Sequence, residues 1–164
     1  VRAAGRSPKG WWHQKENAVR FQCQGSGKCC VTHGQYGHVY LTLADRRRLA
    51  KHLGLSTSVF TRTLCSRDAA AGGGHVYRLK DGRLKDGNGP DCIFLEGKRC
   101  GVYEGRPEQC RTWPFWPEVM NAKKWAKEVA SFCPGVGKGP KVDPLEIDAL
   151  LKQQADWEER LVSR

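Results

Sequence analysis

Cys100-Gly101-Val102-Tyr103-Glu104-Gly105-Arg106-Pro107-Glu108-Gln109-Cys110-Arg111-Thr112-Trp113-Pro114-Phe115 places two thiols among glycines and prolines. Cysteines beside chain reversals can converge on one point without straining regular structure, which favours ligation over core packing. Pro107, with its fixed φ, is placed to be the first residue of a short helical turn carrying Cys110. Working outward, Cys92 lies in Asp91-Cys92-Ile93-Phe94-Leu95 and Cys133 in Cys133-Pro134-Gly135. Far upstream, Phe21-Gln22-Cys23-Gln24-Gly25-Ser26-Gly27-Lys28-Cys29-Cys30 holds three more cysteines. Its two glycines permit the tight or left-handed backbone of a ligand loop. The thiols thus form two groups, 23, 29, 30 and 92, 100, 110, 133, with Cys65 alone between them on a predicted helix.

Soft thiolates select zinc, copper(I) or iron–sulfur clusters, and four of them complete a tetrahedral zinc site or a cubane cluster. The spacings do not choose between these. No Cys-x2-Cys pair occurs, so a zinc ribbon or a ferredoxin run is a poor match, and any centre must be assembled from distant segments. On an extended chain adjacent Cys29 and Cys30 point to opposite sides, which would let them serve two centres, or one ligate and the other pack. The even count also permits four disulfides, and buried unliganded thiols are a third reading. The basic, targeting-like start and the lack of a secretory hydrophobic segment argue for a reducing compartment. His33, three residues after the pair, is either a nitrogen ligand or a surface or hydrogen-bonded histidine.

The 164 residues carry 28 Lys and Arg against 17 Asp and Glu, a net charge of +11. With 39% hydrophobic residues the chain can build a modest core, so a soluble globular domain with extensions is expected and wholesale disorder is not. No apolar run approaches the roughly 18 residues a membrane span needs. Val1-Arg2-Ala3-Ala4 resembles the end of a transit peptide, and no acidic residue precedes Glu16. Chloroplast localisation is therefore expected, with the mitochondrion or bacterial cytoplasm as alternatives. Phosphate loops, dinucleotide fingerprints, His-Glu-x-x-His helices, nucleophile elbows and the radical Cys-x3-Cys-x2-Cys spacing are all absent from the sequence.

The pattern predicts a small, loop-rich α+β domain of short β-hairpins and several helices organised around a cysteine metal centre. Residues 1–20 read as a basic N-terminal arm whose Trp11-Trp12 pair needs something to pack against. Residues 21–139 read as the cysteine-cluster metal-binding domain and 140–164 as a C-terminal helix. Within the domain, Val39 to Leu41 suggests a strand. Thr42 with Asp45 resembles a capping box, opening a helix with Leu43, Leu49, Ala50 and Leu53 near one face and Gly54 as the stop. A second helix follows Ser56, with Val59, Phe60 and Leu64 inward, and residues 69–74 read as a flexible break. Residues 76–84 read as a hairpin turning at Asp81-Gly82, and residues 93–103 as another, joined through Gly97. A helix over 121–132 presents Trp125, Val129 and Phe132, and 135–140 reads as a linker. Asp143-Pro144 caps the last helix, which carries Leu145, Ile147, Leu150, Leu151, Trp157 and Leu161.

Taken together, Phe21-x-Cys23 through Gly27-x-Cys29-Cys30, Asp91 to Leu95, Cys100-x-x-Tyr103-x-x-Arg106-Pro107-x-x-Cys110-Arg111-x-Trp113-Pro114-Phe115 and Cys133-Pro134-Gly135 resemble the zinc- or iron-chelating cysteine-cluster family of the YkgJ type. The resemblance covers about residues 21–139 and is most specific from Tyr103 to Phe115. It implies a cysteine-bound centre of zinc or an iron–sulfur cluster, with Cys23, Cys29, Cys30, Cys92, Cys100, Cys110 and Cys133 as ligands. Some relatives are attached to flagellin lysine methylation. Ser26 stands where the family often has a cysteine, and Cys65 has no counterpart; it reads as a buried helical thiol or a replacement ligand. Arg106 and Arg111 of the motif are expected to donate to thiolate sulfurs or nearby carbonyls and offset the negative charge. Tyr103, Trp113, Phe115 and Trp116 would shield the centre or simply pack a core. The expected function is that of a non-enzymatic structural or accessory subunit, or assembly factor, of a larger and organellar complex. An iron–sulfur redox or methyl-transfer-associated enzyme is one alternative. The other is a ribonucleoprotein subunit touching RNA through Arg46-Arg47-Arg48, Lys123-Lys124 and the arm. Protein docking through Trp11-Trp12, or through Trp157 and Leu161, is weighed against packing of the last helix on its own domain.

Overall fold

A computed structural model describes residues 10–32, 37–84 and 89–163. His33 and the first nine residues lie outside that range. The elements, in chain order, are strands β1 (Arg20–Phe21) and β2 (Tyr40–Leu41), helices α1 (Leu43–His52) and α2 (Thr57–Leu64), then strands β3 (Cys65–Ala69), β4 (His75–Leu79), β5 (Asp81–Leu84), β6 (Pro90–Cys92), β7 (Leu95–Glu96) and β8 (Arg99–Cys100). Helices α3 (Glu108–Thr112) and α4 (Ala122–Lys124), strand β9 (Val136–Lys141) and helix α5 (Pro144–Glu159) follow. This is a small mixed α+β arrangement of short antiparallel pairings, β1 with β9, β2-β4-β3, β5 with β6 and β7 with β8. No helix among the described residues is long and apolar enough to cross a membrane.

Two apolar clusters hold these elements. The first joins Val19, Trp113, Phe115, Trp116, Val119 and Trp125 with Ile147 of α5. The second joins Leu41, Leu49, Phe60, Leu79 and Val102, with Cys65, Cys92 and Cys100 in or against it. Trp11 and Trp12 pack on the first cluster: Trp11 Nε1 donates to the Met120 carbonyl at 2.8 Å, and its ring meets Trp125 edge-on. The tryptophan pair is thus engaged by its own domain. So is the last helix, whose Trp157 is only 2% exposed.

Between the clusters sits Asp45, fully buried. The capping box forms as expected, with Asp45 N donating to Thr42 Oγ1 and the Thr42 amide and hydroxyl donating back to Asp45 Oδ2 at 3.0 and 2.8 Å. The same carboxylate also accepts Arg48 Nη1, the Glu108 amide that opens α3, and Trp157 Nε1 of α5, at 3.0, 2.9 and 2.7 Å. One side chain thereby fixes α1, α3 and α5. Nearby, the Thr112 hydroxyl donates to Gln154 Oε1 at 2.7 Å and accepts from Trp116 Nε1, completing the α3–α5 contact.

Several local expectations are corrected. β4 pairs with β3 over the full length of both, so the reversal falls at residues 70–74, where Gly73 and Gly74 take φ of +93° and +78°. Asp81-Gly82 is part of β5; a Cβ on Gly82 would lie 2.5 Å from the Asp91 carbonyl, so its glycine serves close strand approach. Cys65 opens β3 rather than riding on a helix. Residues 136–141 form β9, because their backbone completes the ladder of β1. Leu43 and Leu53 are exposed, leaving Leu49 and Ala50 as the inner face of α1. Pro107 caps α3 instead of occupying its first turn. The 121–132 helix widens after α4 into a π-helical stretch over Trp125–Ala130, keeping Trp125 and Val129 buried.

Replacing Asp45 by Ala strands several buried donors, and chemical denaturation should show a loss of about 3–5 kcal/mol. Trp157→Phe, which removes a single hydrogen bond to the carboxylate, should cost about 1.5–3 kcal/mol.

Candidate metal centre

Gly27 starts the construction of the centre. It takes φ +70°, and a Cβ there would sit 2.5 Å from the Lys98 carbonyl, so only glycine lets this turn lie against the β7–β8 hairpin. The turn Lys28–Cys30 is 3₁₀, not extended, so the strand geometry that would send Cys29 and Cys30 to opposite sides does not apply. Each of the two thiols shifts the ionisation of the other, and both act electrostatically with Cys92 and Cys110.

Those neighbours come from three other elements. Cys92 ends β6, and Cys100 ends β8, where it pairs with Leu95 across the hairpin that turns at Gly97. Cys110 sits in α3. Helix α3 is held in place by Asp45 at its first amide and by Gln109, whose side chain accepts from Tyr40 N and donates to the His38 carbonyl, both at 3.0 Å.

The electrostatics link these thiols to one another. The hydrogen bond from Cys30 lowers Cys29 to about 7, helped by the Arg106 guanidinium. The same bond, then burial, then the charges of Cys29, Cys92 and Cys110 push Cys30 strongly up. Burial first, and then Cys100 and Cys29, raise Cys92 to about 11. Burial also raises Cys100, and Cys110 rises well above the ordinary thiol value through burial and the charges of Cys92, Cys29 and Cys100. Five thiols from four segments therefore act on one another.

Arg106 belongs to the same group. Its charge favours the thiolates of Cys29, Cys100 and Cys110, and its guanidinium lies 3.7 Å from the Tyr103 ring centroid. Among the described residues its buried Nε has no hydrogen-bond partner. A buried donor beside several sulfurs is a group waiting for an anionic acceptor. Arg111 takes the carbonyl role, donating to the Arg106 and Glu104 carbonyls at 2.9 and 2.7 Å and so holding the turn that carries Arg106. Trp113, Phe115 and Trp116 are buried in the first cluster, whereas Tyr103 is 45% exposed.

The remaining cysteines stand apart. Cys23 is exposed, and Cys133 packs against the first cluster. The register of β1 on β9, with the Gln22 amide on the Gly135 carbonyl at 3.0 Å, brings their two segments side by side. Neither thiol figures among the influences on the other five. Cys65 is buried in the second cluster and raised to about 11 by desolvation, partly offset by Arg46 and Lys80, with no other thiol involved. Ser26 Oγ accepts from the Lys28 amide at 3.4 Å, a local turn contact.

All eight cysteines are free. Their donor chemistry and the unpartnered Arg106 Nε suit a thiophilic metal. As they stand, however, no three Cys, His, Asp or Glu side chains among the described residues are close enough together to hold an ion. Sequence reasoning missed Gln109 and the long reach of Asp45; the capping box marked Asp45 locally but carried no signal of its hold on α3.

The family model CxxCxxCC, "Putative zinc- or iron-chelating domain", matches residues 22–134. No solved structure matches the chain.

In metal-free protein, Cys29 should be the thiol alkylated fastest near neutral pH, since it is exposed and ionises around 7. Peptide mapping after a short iodoacetamide pulse checks this, with Cys65 and Cys110 expected to react last.

Proposed function

Because the chain belongs to the CxxCxxCC family of zinc- or iron-chelating domains, we propose that Cys29, Cys30, Cys92, Cys100 and Cys110 hold its zinc or iron–sulfur centre, with Cys23 and Cys133 as further thiols of the set. The observation that carries this reading is that the charge of Arg106, whose buried Nε has no partner among the described residues, favours the thiolates of Cys29, Cys100 and Cys110, which in turn act on Cys30 and Cys92. When bound, the metal or cluster adds a cross-link among segments already held by short strands, the second apolar cluster and the Asp45 and Gln109 hydrogen bonds. Arg106 then donates to sulfur and offsets the excess negative charge, and Arg111 keeps that guanidinium in place. Cys92 and Cys100 sit against the second apolar cluster, so the centre is a staple of the fold.

On this reading the protein is a non-enzymatic accessory subunit or assembly factor of a larger complex. Support comes from the use of the motif residues: the arginines and buried aromatics that accompany the cysteines hold backbone turns and the core.

Elemental analysis of anaerobically purified protein, with a visible spectrum of the same sample, tests the proposal. Colourless zinc makes the centre purely structural, whereas iron with acid-labile sulfide moves the reading to a redox protein. Absence of both would overturn it. Cys110→Ser and Cys29→Ser should lose metal and stability together, while Cys65→Ser should retain metal. Cys30, Cys92 and Cys110 hold their protons tightly in the metal-free state. Loading must expel those protons, so zinc affinity should rise about tenfold or more per pH unit between about pH 6 and 8.

A further inference from the structure

The β1–β9 pair places two cations directly opposite one another, Arg20 facing Lys141. Like charges across a strand pair are destabilising. Among the described residues neither is paired with a carboxylate; Arg20 is instead anchored by its Nη1 on the Gly139 carbonyl at 2.9 Å, which holds the guanidinium on the exposed side of the ladder. Lys138 is exposed on the same strand.

Lys141 also lines an open groove of about 490 Å³, together with Trp12, His13 and Lys15. Asp143, the acid of the groove lining, and Asp148 beside it are both committed. Asp143 caps α5 through the Leu145 amide at 2.8 Å, and Asp148 binds Trp12 Nε1 and His13 Nε2, each at 2.8 Å. That hold, and the close cover of Gly10 over its six-membered ring, fix the Trp12 indole at the groove wall. Helix α5 carries five carboxylates and a single lysine, so the rest of the chain is more cationic than its net charge of +11 implies.

We infer that this groove and the cationic face of β1–β9 form a binding surface for the phosphate backbone of single-stranded RNA. Lys15, Arg20, Lys138 and Lys141 meet phosphates, and the fixed ring of Trp12 borders the bases. Phosphates neutralise the facing Arg20–Lys141 pair, and a ring beside cations is the chemistry of sequence-tolerant strand binding. An acidic protein surface would meet the charge but leave the ring unused. The triplet Arg46-Arg47-Arg48 makes no comparable surface, since Arg46 is buried against Tyr77 and Arg48 is paired with Asp45.

The test is fluorescence anisotropy of a labelled oligouridine with the full-length protein carrying its metal. Four phosphate contacts predict a log–log salt slope of about −3 between about 50 and 200 mM salt. Lys15→Glu/Lys141→Glu should weaken binding more than about tenfold, and Lys15→Gln/Lys141→Gln about threefold, with metal content unchanged. The control Arg47→Glu/Lys51→Glu on α1 should change it less than about twofold. No binding at low salt, an equal loss in the control, or equal competition by polyglutamate would each overturn the proposal. The metal content of every variant is measured separately, so a failed RNA site and a failed metal centre give different results.

Discussion

A single carboxylate, that of Asp45, ties together parts of the chain that share little else. It sits at 0% exposure between two apolar clusters and accepts five hydrogen bonds, from α1, the start of α3 and the last turns of α5. Clusters of this size, built from strands mostly two to five residues long, define little geometry by themselves. A buried anion does, because each donor it holds has a required place, and a displaced donor is left unpaired in a dry interior. The amide of Glu108 is one such donor, and Cys110 follows two residues later. The position of one thiol is thus set by a side chain far away in sequence, with no metal involved.

The thiols then present an electrostatic problem that the polypeptide only half solves. Burial and mutual repulsion keep Cys30, Cys92 and Cys110 protonated, while Cys29 is drawn toward ionisation by its neighbour and by Arg106. One guanidinium cannot balance a set of thiolates. A zinc or iron centre of the kind the family is named for would supply the missing positive charge if held by these thiols.

Much of this was legible in the residues. The Thr42–Asp45 capping box, the stop at Gly54, the Ser56 and Asp143 caps and the Gly97 turn all depend on neighbours within four positions, and each forms. The glycine signals at Asp81-Gly82 and residues 135–140 misled because glycine answers two needs alike, chain reversal and close approach of backbones. At Gly82 and Gly135 it is the approach of another segment that demands the missing Cβ. Trp11-Trp12 looked available because most of its cover is remote in sequence, coming from Met120, Trp125 and Asp148. The family pattern named the thiols, yet the 3₁₀ turn that carries Cys29 and Cys30 is seated against Lys98, a contact that no spacing encodes.

The strand pair β1–β9 sets an order of assembly. Arg20 is bound to Gly139 across 119 residues, so β1 has no partner until nearly the whole domain has been synthesised. Contacts of such separation form late and slowly. Cys23, Cys29 and Cys30, just past that strand, emerge early and wait for Cys92, Cys100 and Cys110, and then for β9 to bring up Cys133. A nascent chain in this state shows reactive thiols to its surroundings before it has a fold to protect them.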